Sequence, residues 1–74
     1  MKKEDAKIGE IYSYITYENS VKIKCLMVYL GYGDNTKFSS IYFVGCWSAN
    51  WWLRIDQGRV CWTNDWSKFE EVID

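Results

Sequence analysis

The sequence predicts an all-β domain built from roughly five or six short antiparallel strands. β-branched and aromatic residues dominate the chain, and no long stretch shows the i, i+3, i+4, i+7 apolar spacing of an amphipathic helix. Proline is absent, and glycines divide the chain into lengths that suit short strands: Gly9, Gly31, Gly33, Gly45 and Gly58. Because the composition does not shift along the chain and no segment repeats, we expect one domain over residues 1–74.

The first two strands are predicted at residues 11–17 and 21–30. Residues 11–17 are almost all strand formers, and an Asn-Ser pair shortly after them favours a turn. Tyr12 and Tyr14 share one face of this strand, and the sequence leaves open which face is buried. Residues 21–30 first alternate apolar side chains with Lys and then become apolar at every position, so we expect a bent strand that is covered on both sides in its second half.

Beyond residue 30 the chain alternates loops and strands. Residues 31–37 contain two glycines together with Asp and Asn, and therefore predict a loop. Residues 38–44 predict a strand, and residues 45–48 predict the break after it. The next two strands, residues 49–56 and 59–63, are predicted to form a hairpin.

The pairing within this hairpin is predicted from its apolar residues. A two-residue turn at residues 57–58 sets Ile55 opposite Val60 and Leu53 opposite Trp62, so that these four side chains share one face. We expect this face to form part of the core.

Two adjacent tryptophans lie in the first strand of the hairpin. Side chains of adjacent strand residues point to opposite faces, so Trp51 and Trp52 are not both expected in the core. With Leu53 facing inward, Trp51 is predicted to be buried and Trp52 to be exposed beside Arg54. Arg59 lies on the same outward face in this register.

Residues 64–69 include a residue suited to cap a helical turn and are long enough for one 3-10 turn, and residues 70–73 then predict the last strand.

This order of elements resembles an SH3-like barrel, and most specifically the small SH3-like proteins of phages and prophages, the YorP type. The segments that carry the resemblance are KIGEIYSY at residues 7–14, GRVCW at residues 58–62 and WSKFEEV at residues 66–72. The resemblance implies a barrel with a short 3-10 turn before its last strand and a ring-lined groove that binds peptides. An OB-like or other small barrel is the alternative.

The charge balance gives the protein no general attraction to nucleic acid or to anionic lipid. Nine Lys and Arg stand against ten Asp and Glu, for a net charge of −1. The charged N-terminal residues are not followed by the apolar run of a signal peptide, and no stretch reaches the roughly 18 apolar residues of a membrane span. We therefore expect a cytoplasmic protein that does not associate with membranes.

The sequence contains few groups suited to catalysis. It has no His, so a Ser-His or Cys-His pair is excluded. Cys25, Cys46 and Cys61 lack C-x-x-C spacing, which disfavours both a disulfide framework and a zinc site. We predict no enzymatic activity, no cofactor and no metal. Cys61 is the one candidate for modest reactivity, because the predicted register places it beside Arg54 and Arg59, whose charges favour a thiolate.

The aromatic residues point to a binding site. Five Trp, six Tyr and three Phe are more ring surface than a domain of 74 residues is expected to bury, and clustered exposed rings mark contact sites. Trp, Tyr and Arg are also the residues enriched at binding hot spots. The predicted partner-binding residues are Tyr32, Trp47, Trp52, Arg54, Arg59 and Trp66.

The leading functional hypothesis is a non-enzymatic protein-binding module, a phage or prophage protein that binds and modulates a host protein through an exposed aromatic patch. The alternative is single-stranded nucleic-acid binding, in which rings stack on bases while Lys22, Lys24, Arg54 and Arg59 contact phosphates. A third interpretation is a homo-oligomer that covers the exposed rings.

Overall fold

The computed structural model describes residues 1–38 and 47–72. These residues form one open antiparallel sheet of five strands in the order β4-β3-β2-β1-β5. The strands are β1 (Ile11–Glu18), β2 (Val21–Asp34), β3 (Ser48–Arg54), β4 (Arg59–Trp62) and β5 (Phe69–Glu71). The helical segments are the 3-10 turns Lys3–Asp5 and Trp66–Lys68 and the single α-helical turn α1 (Asn35–Phe38). Within these described residues, no helix is long and apolar enough to cross a membrane.

The prediction of an all-β domain with a 3-10 turn before its last strand is confirmed. Asp65 caps that turn, since its carboxylate accepts a hydrogen bond from the Ser67 backbone N–H at 3.3 Å. The described sheet is open, however, because its edge strands β4 and β5 do not pair with each other. β5 begins at Phe69, one residue earlier than predicted, and residue 73 of the predicted strand lies outside the described residues.

The hairpin of β1 and β2 forms where the sequence predicts it. Glu18 pairs with Val21, which leaves Asn19 and Ser20 as the turn. Their φ angles of 50° and 66° are both positive, as in the type I′ turn that matches the twist of a hairpin. Asn adopts this backbone conformation more readily than most residues, which explains why this pair makes the turn.

The predicted loop at residues 31–37 is wrong, because β2 continues through Asp34. The two glycines of this segment, Gly31 and Gly33, lie within the strand and not in a loop. Gly31, at a φ of +109°, lies at a bulge in the pairing with β3, where the strand is redirected. At Gly33, a Cβ atom would lie 2.5 Å from the Phe38 ring, so only glycine allows α1 to pack so closely.

The helical turn α1 takes the place of the start of the predicted strand at residues 38–44. The Asp34 carboxylate accepts hydrogen bonds from the backbone N–H groups of Thr36 and Lys37, both at 3.0 Å, and so caps α1. Phe38 belongs to α1, and residues 39–44 of the predicted strand lie outside the described residues, as do residues 45–46 of the predicted break.

The hairpin of β3 and β4 forms in a different register from the predicted one. Leu53 pairs with Val60 and Arg54 pairs with Arg59, so residues 55–58 form the loop. The backbone N–H of Ile55 donates to the Leu26 carbonyl of β2 at 3.1 Å, which removes Ile55 from the pairing with β4. The predicted register is therefore wrong by two residues, and because this shift is even, it does not change which residues share a face.

At this hairpin, the face of the sheet that packs into the core is the one that was predicted to be exposed. We call this face the inner face and the opposite side of the sheet the outer face. The main buried cluster lies on the inner face and consists of Tyr12, Cys25, Met27, Tyr29, Trp52 and Phe69. The predicted core residues Ile55, Val60 and Trp62 are instead exposed, and Leu53 is half-buried. The Trp52 ring packs on this face against Tyr12, Tyr29 and Phe69, and these ring contacts favour the observed orientation.

The outer face of the sheet carries a row of aliphatic residues. Ile11, Val28, Leu53 and Val60 are neighbours in the strand register and cross β1, β2, β3 and β4 in turn. Leu26, on the same face, is exposed. The expectation that the second half of β2 is covered on both sides is therefore wrong at Leu26.

Both tryptophans of β3 are buried, so the prediction that Trp52 is exposed is wrong. Trp51 is 2% exposed and Trp52 is 0% exposed. Alternation does place them on opposite faces, but each face is covered at this point. The inner ring, Trp52, packs against the core, and the outer ring, Trp51, stacks with Phe38 and Trp47 at centroid distances of 5.8 and 5.4 Å. The Trp51 indole N–H donates a hydrogen bond to the Gly33 carbonyl, and the Trp52 indole N–H donates one to the Thr63 carbonyl.

Candidate functional site

A groove lies at the β4 end of the inner face and is the strongest candidate for a binding site. It encloses about 270 Å³. Its lining residues come from four strands and the residues next to them: Tyr14, Met27, Arg54, Gln57, Arg59, Cys61, Trp62 and Thr63. This volume suits one or two side chains of a partner, since pockets for drug-sized ligands begin at roughly 300 Å³.

The apolar part of the groove belongs to the core. Met27 is buried and Tyr14 is half-buried, and strand alternation places both on the inner face. The Tyr14 ring is held by Phe69 of β5, with ring centroids 5.0 Å apart. The groove therefore has an apolar wall fixed by packing.

Two arginines form the charged part of the groove. Arg54 of β3 and Arg59 of β4 lie directly opposite each other in the strand register. Arg54 Nε donates to the Asp56 carboxylate at 2.9 Å, and this hydrogen bond raises the pKa of Arg54. Arg59 is exposed and makes no ion pair with any residue in 1–38 or 47–72. The groove therefore contains one arginine held by a carboxylate and one whose charge is available.

Cys61 lies between these arginines and the core, and its thiol is not activated. It is half-buried and packs against the buried cluster. Burial raises the pKa of Cys61, and the nearby charges of Arg54 and Arg59 only partly oppose this effect. The expectation of a lowered pKa is therefore wrong, because the observed face turns Cys61 toward the core.

Only two of the six predicted partner-binding residues, Arg54 and Arg59, line the groove. Trp52 is in the core. Trp66 is half-buried and contacts Trp52 edge-on, with ring centroids 5.5 Å apart, so it supports the core. Tyr32 is on the surface as expected, with 59% of its area exposed, but it belongs to β2 and lies beneath the Lys3 ammonium at 5.2 Å.

Trp47 belongs to a second aromatic cluster on the outer face, with Phe38, Trp51 and Trp62. Trp47 is half-buried and meets the Trp62 ring edge-on at a centroid distance of 5.2 Å. Trp62 is 52% exposed and also lines the groove. The ring of Trp62 therefore connects the outer aromatic cluster, which contains Trp47, to the groove, which contains the arginines.

Sequence reasoning missed Trp62, Tyr14 and Met27 as lining residues of the groove. The sequence did contain a signal for Trp62. In both the predicted and the observed register, Trp62 lies on the same face as Leu53. If Trp52 faces inward, that shared face is the outer one. Tyr14 could not be placed from the sequence, which leaves open which face of β1 is buried, and the structure puts Tyr12 and Tyr14 on the inner face.

The four basic residues proposed for nucleic-acid binding are divided between the two faces of the sheet. Lys22 and Lys24 of β2 pair with Tyr17 and Ile15 on the outer face. The groove arginines are on the inner face. The described residues therefore provide no single track that contains all four cations.

The described parts of the chain also contain no group of three His, Cys, Asp or Glu side chains close enough together to hold a metal ion. Comparisons with protein-family models, with curated proteins and with solved structures find no match for this chain.

Proposed function

We propose that the protein is a non-enzymatic protein-binding module whose contact surface is the groove and the exposed ring of Trp62. The observation that carries this proposal is the position of a half-exposed tryptophan beside two arginines and an apolar wall. Trp, Tyr and Arg are the residue types most enriched at binding hot spots, and the centre of such a site is an apolar pocket. The proposal moves the site from Trp52, which is buried, to Trp62.

The proposal includes an SH3-like barrel as the fold and a host protein of a phage or prophage as the partner. The long second strand, its bulge at Gly31 and the 3-10 turn before β5 support the proposed fold. The groove at the edge of the inner face agrees with peptide binding, which the resemblance to SH3-like barrels implies.

Nucleic-acid binding has less support. A single strand is bound along a continuous positive groove with rings on which successive bases stack. The separation of Lys22 and Lys24 from Arg54 and Arg59 interrupts such a track, and the net charge of −1 provides no general attraction.

Peptide display tests the proposed function. A random-peptide library is selected on wild type, on Trp62→Ala and on Tyr17→Ala. Tyr17 is a matched control because it is an exposed ring, at 67%, on the outer face of β1 and does not line the groove. We expect wild type and Tyr17→Ala to enrich the same peptides, and Trp62→Ala to bind those peptides at least about tenfold more weakly.

Two results contradict the proposal: enrichment of no peptide by wild type, or equal affinity of wild type and Trp62→Ala. Circular dichroism of each variant shows whether the fold is retained, which matters because Trp62 also contacts Trp47.

A further inference from the structure

We infer that the groove binds a carboxylate that the partner presents next to an apolar side chain. This inference rests on the proposed binding function and specifies the chemistry of the partner, which is an acidic peptide segment. The arginines Arg54 and Arg59 receive the carboxylate, and the wall formed by Tyr14 and Met27 receives the apolar side chain.

The charge of the groove differs from the charge of the molecule. The chain has a net charge of −1, yet among the described residues the only ionised side chains that line the groove are Arg54 and Arg59. Two other hollows of the described surface have the opposite character. One is lined by Asp5, Glu10 and Glu71 beside a single Lys, and the other by Asp5, Glu70 and Glu71 beside the N-terminal ammonium group of Met1. The groove is thus a local positive site on an acidic protein, and it is complementary to an anionic partner.

The placement of the two arginines also favours an anion between them. Like charges directly opposite each other on neighbouring antiparallel strands destabilise the pair. Asp56 offsets part of this repulsion at Arg54, and Arg59 has no carboxylate partner among the described residues. A carboxylate from outside the chain would interact with both guanidinium groups and complete the charge balance.

The size of the groove selects a peptide side chain over a large ligand. About 270 Å³ holds a carboxylate and one neighbouring apolar side chain. Met27 and Tyr14 lie beside the arginines, so the two parts of the ligand must be adjacent. The carboxylate can come from an Asp or Glu side chain or from a C-terminus, and the experiment below separates these sources.

The test uses unlabelled short peptides and the intrinsic tryptophan fluorescence of the protein. One peptide contains two Leu-Glu pairs and has both ends blocked, and its neutral match has Gln in place of Glu. A third peptide is the Gln peptide with a free C-terminal carboxylate, and the fourth probe is a short oligothymidylate. We expect a peptide with a carboxylate to bind wild type at least about tenfold more tightly than the blocked Gln peptide. Which of the two carboxylate peptides has this advantage identifies the source.

Arg59→Gln tests whether the groove causes this preference. This substitution removes one positive charge at an exposed position in the groove. The matched control is Lys22→Gln, which removes one positive charge at an exposed position on the outer face of the sheet. We expect Arg59→Gln to remove most of the tenfold preference, measured as the ratio of the affinities for the carboxylate peptide and the blocked Gln peptide. We expect Lys22→Gln to leave both affinities unchanged.

Several outcomes overturn the inference: no carboxylate preference in wild type, a preference that Arg59→Gln retains, an equal loss in Lys22→Gln, or tighter binding of the oligothymidylate than of either carboxylate peptide. These outcomes are separate from a failure of the proposed function. If display selection depends on Trp62 while the peptides show no carboxylate preference, the binding function stands and only the carboxylate inference falls.

Discussion

Trp52 of β3 and Phe69 of β5 stack on the inner face with ring centroids 3.9 Å apart and an angle of 14° between their planes. β3 and β5 are not neighbours in the sheet, since β2 and β1 lie between them. The stacked pair therefore joins strands that the backbone hydrogen bonds do not join. The N-terminal ammonium group of Met1 separately donates to the Phe69 carbonyl at 3.1 Å and so ties the N-terminus to β5.

Replacing Trp52 tests this connection. Trp52→Ala removes a fully buried ring and leaves a cavity, so we expect it to lower the free energy of unfolding by about 3–5 kcal/mol. Trp62→Ala is the matched control, because Trp62 is half-exposed, and we expect it to cost about 1 kcal/mol. Urea denaturation followed by circular dichroism measures both values. Equal losses for the two variants would show that the inner face is assigned wrongly.

Arg59→Gln is expected to stabilise the free protein. Arg59 lies opposite Arg54, and removing a like charge from such a pair gains roughly 0.2–1 kcal/mol. Thermal and urea denaturation at low salt measure this gain, and added salt should reduce it because salt screens the repulsion. Lys22→Gln provides the comparison, since it removes an exposed strand cation that pairs with Tyr17. A stability of Arg59→Gln at or below that of Lys22→Gln would contradict the prediction.

A residue that lowers stability and raises affinity is typical of a functional site. If Arg59→Gln both stabilises the fold and removes the carboxylate preference, a purely structural role for Arg59 is excluded.

Stability should depend on Asp65 at acidic pH. The Ser67 hydroxyl and backbone N–H donate hydrogen bonds to the Asp65 carboxylate and hold its pKa below the ordinary value of 3.8. A carboxyl group with a lower pKa in the folded state stabilises the protein above its unfolded pKa, and this contribution is lost as the pH falls through the folded pKa. In urea denaturation series below pH 4, wild type should lose more stability than Asp65→Asn. Parallel pH profiles for the two proteins would contradict this.

Cys61 should react slowly with thiol reagents. Burial raises the pKa of Cys61 above its ordinary value of 9.0, so less thiolate is present at neutral pH than in a free peptide. Iodoacetamide labelling followed by peptide mapping measures its rate, with a short peptide of the sequence Arg-Val-Cys-Trp-Thr as the control. Labelling of Cys61 as fast as the peptide would show that the thiol is not buried as described. A bound partner peptide should slow the reaction further, because Cys61 lines the groove.

The sequence predicted the elements that depend on local pattern. The β1–β2 hairpin follows from strand-forming residues and from an Asn-Ser pair that favours a turn, and the 3-10 turn before β5 follows from a cap residue, which the structure shows to be Asp65. These features need only residues that are close in the chain, so they can be inferred without the fold.

The parts that were wrong depend on tertiary contacts. Gly31 and Gly33 indicate a loop when only local conformation is considered, but Gly33 is needed because the Phe38 ring packs against it. Alternation assigns Trp51 and Trp52 to opposite faces, and only the packing of α1 on the outer face shows that both are buried. The register of β3 and β4 likewise depends on the hydrogen bond from Ile55 to β2.

The candidate site was predicted in part for the same reason. Arg54 and Arg59 fall on one face in the predicted and in the observed register, because the two registers differ by an even number of residues. The ring beside them could not be chosen correctly until the inner face was known, which is why Trp52 was predicted in place of Trp62.

A nuclear magnetic resonance titration tests the central claim most directly, because it locates the bound partner on the protein. Isotope-labelled protein is titrated with a peptide selected on wild type, and changes in backbone amide and indole shifts are mapped onto the sheet. The groove site predicts the largest changes at Tyr14, Arg54, Arg59, Cys61 and Trp62. Largest changes along the outer row formed by Ile11, Val28 and Leu53, with the groove unaffected, would contradict it.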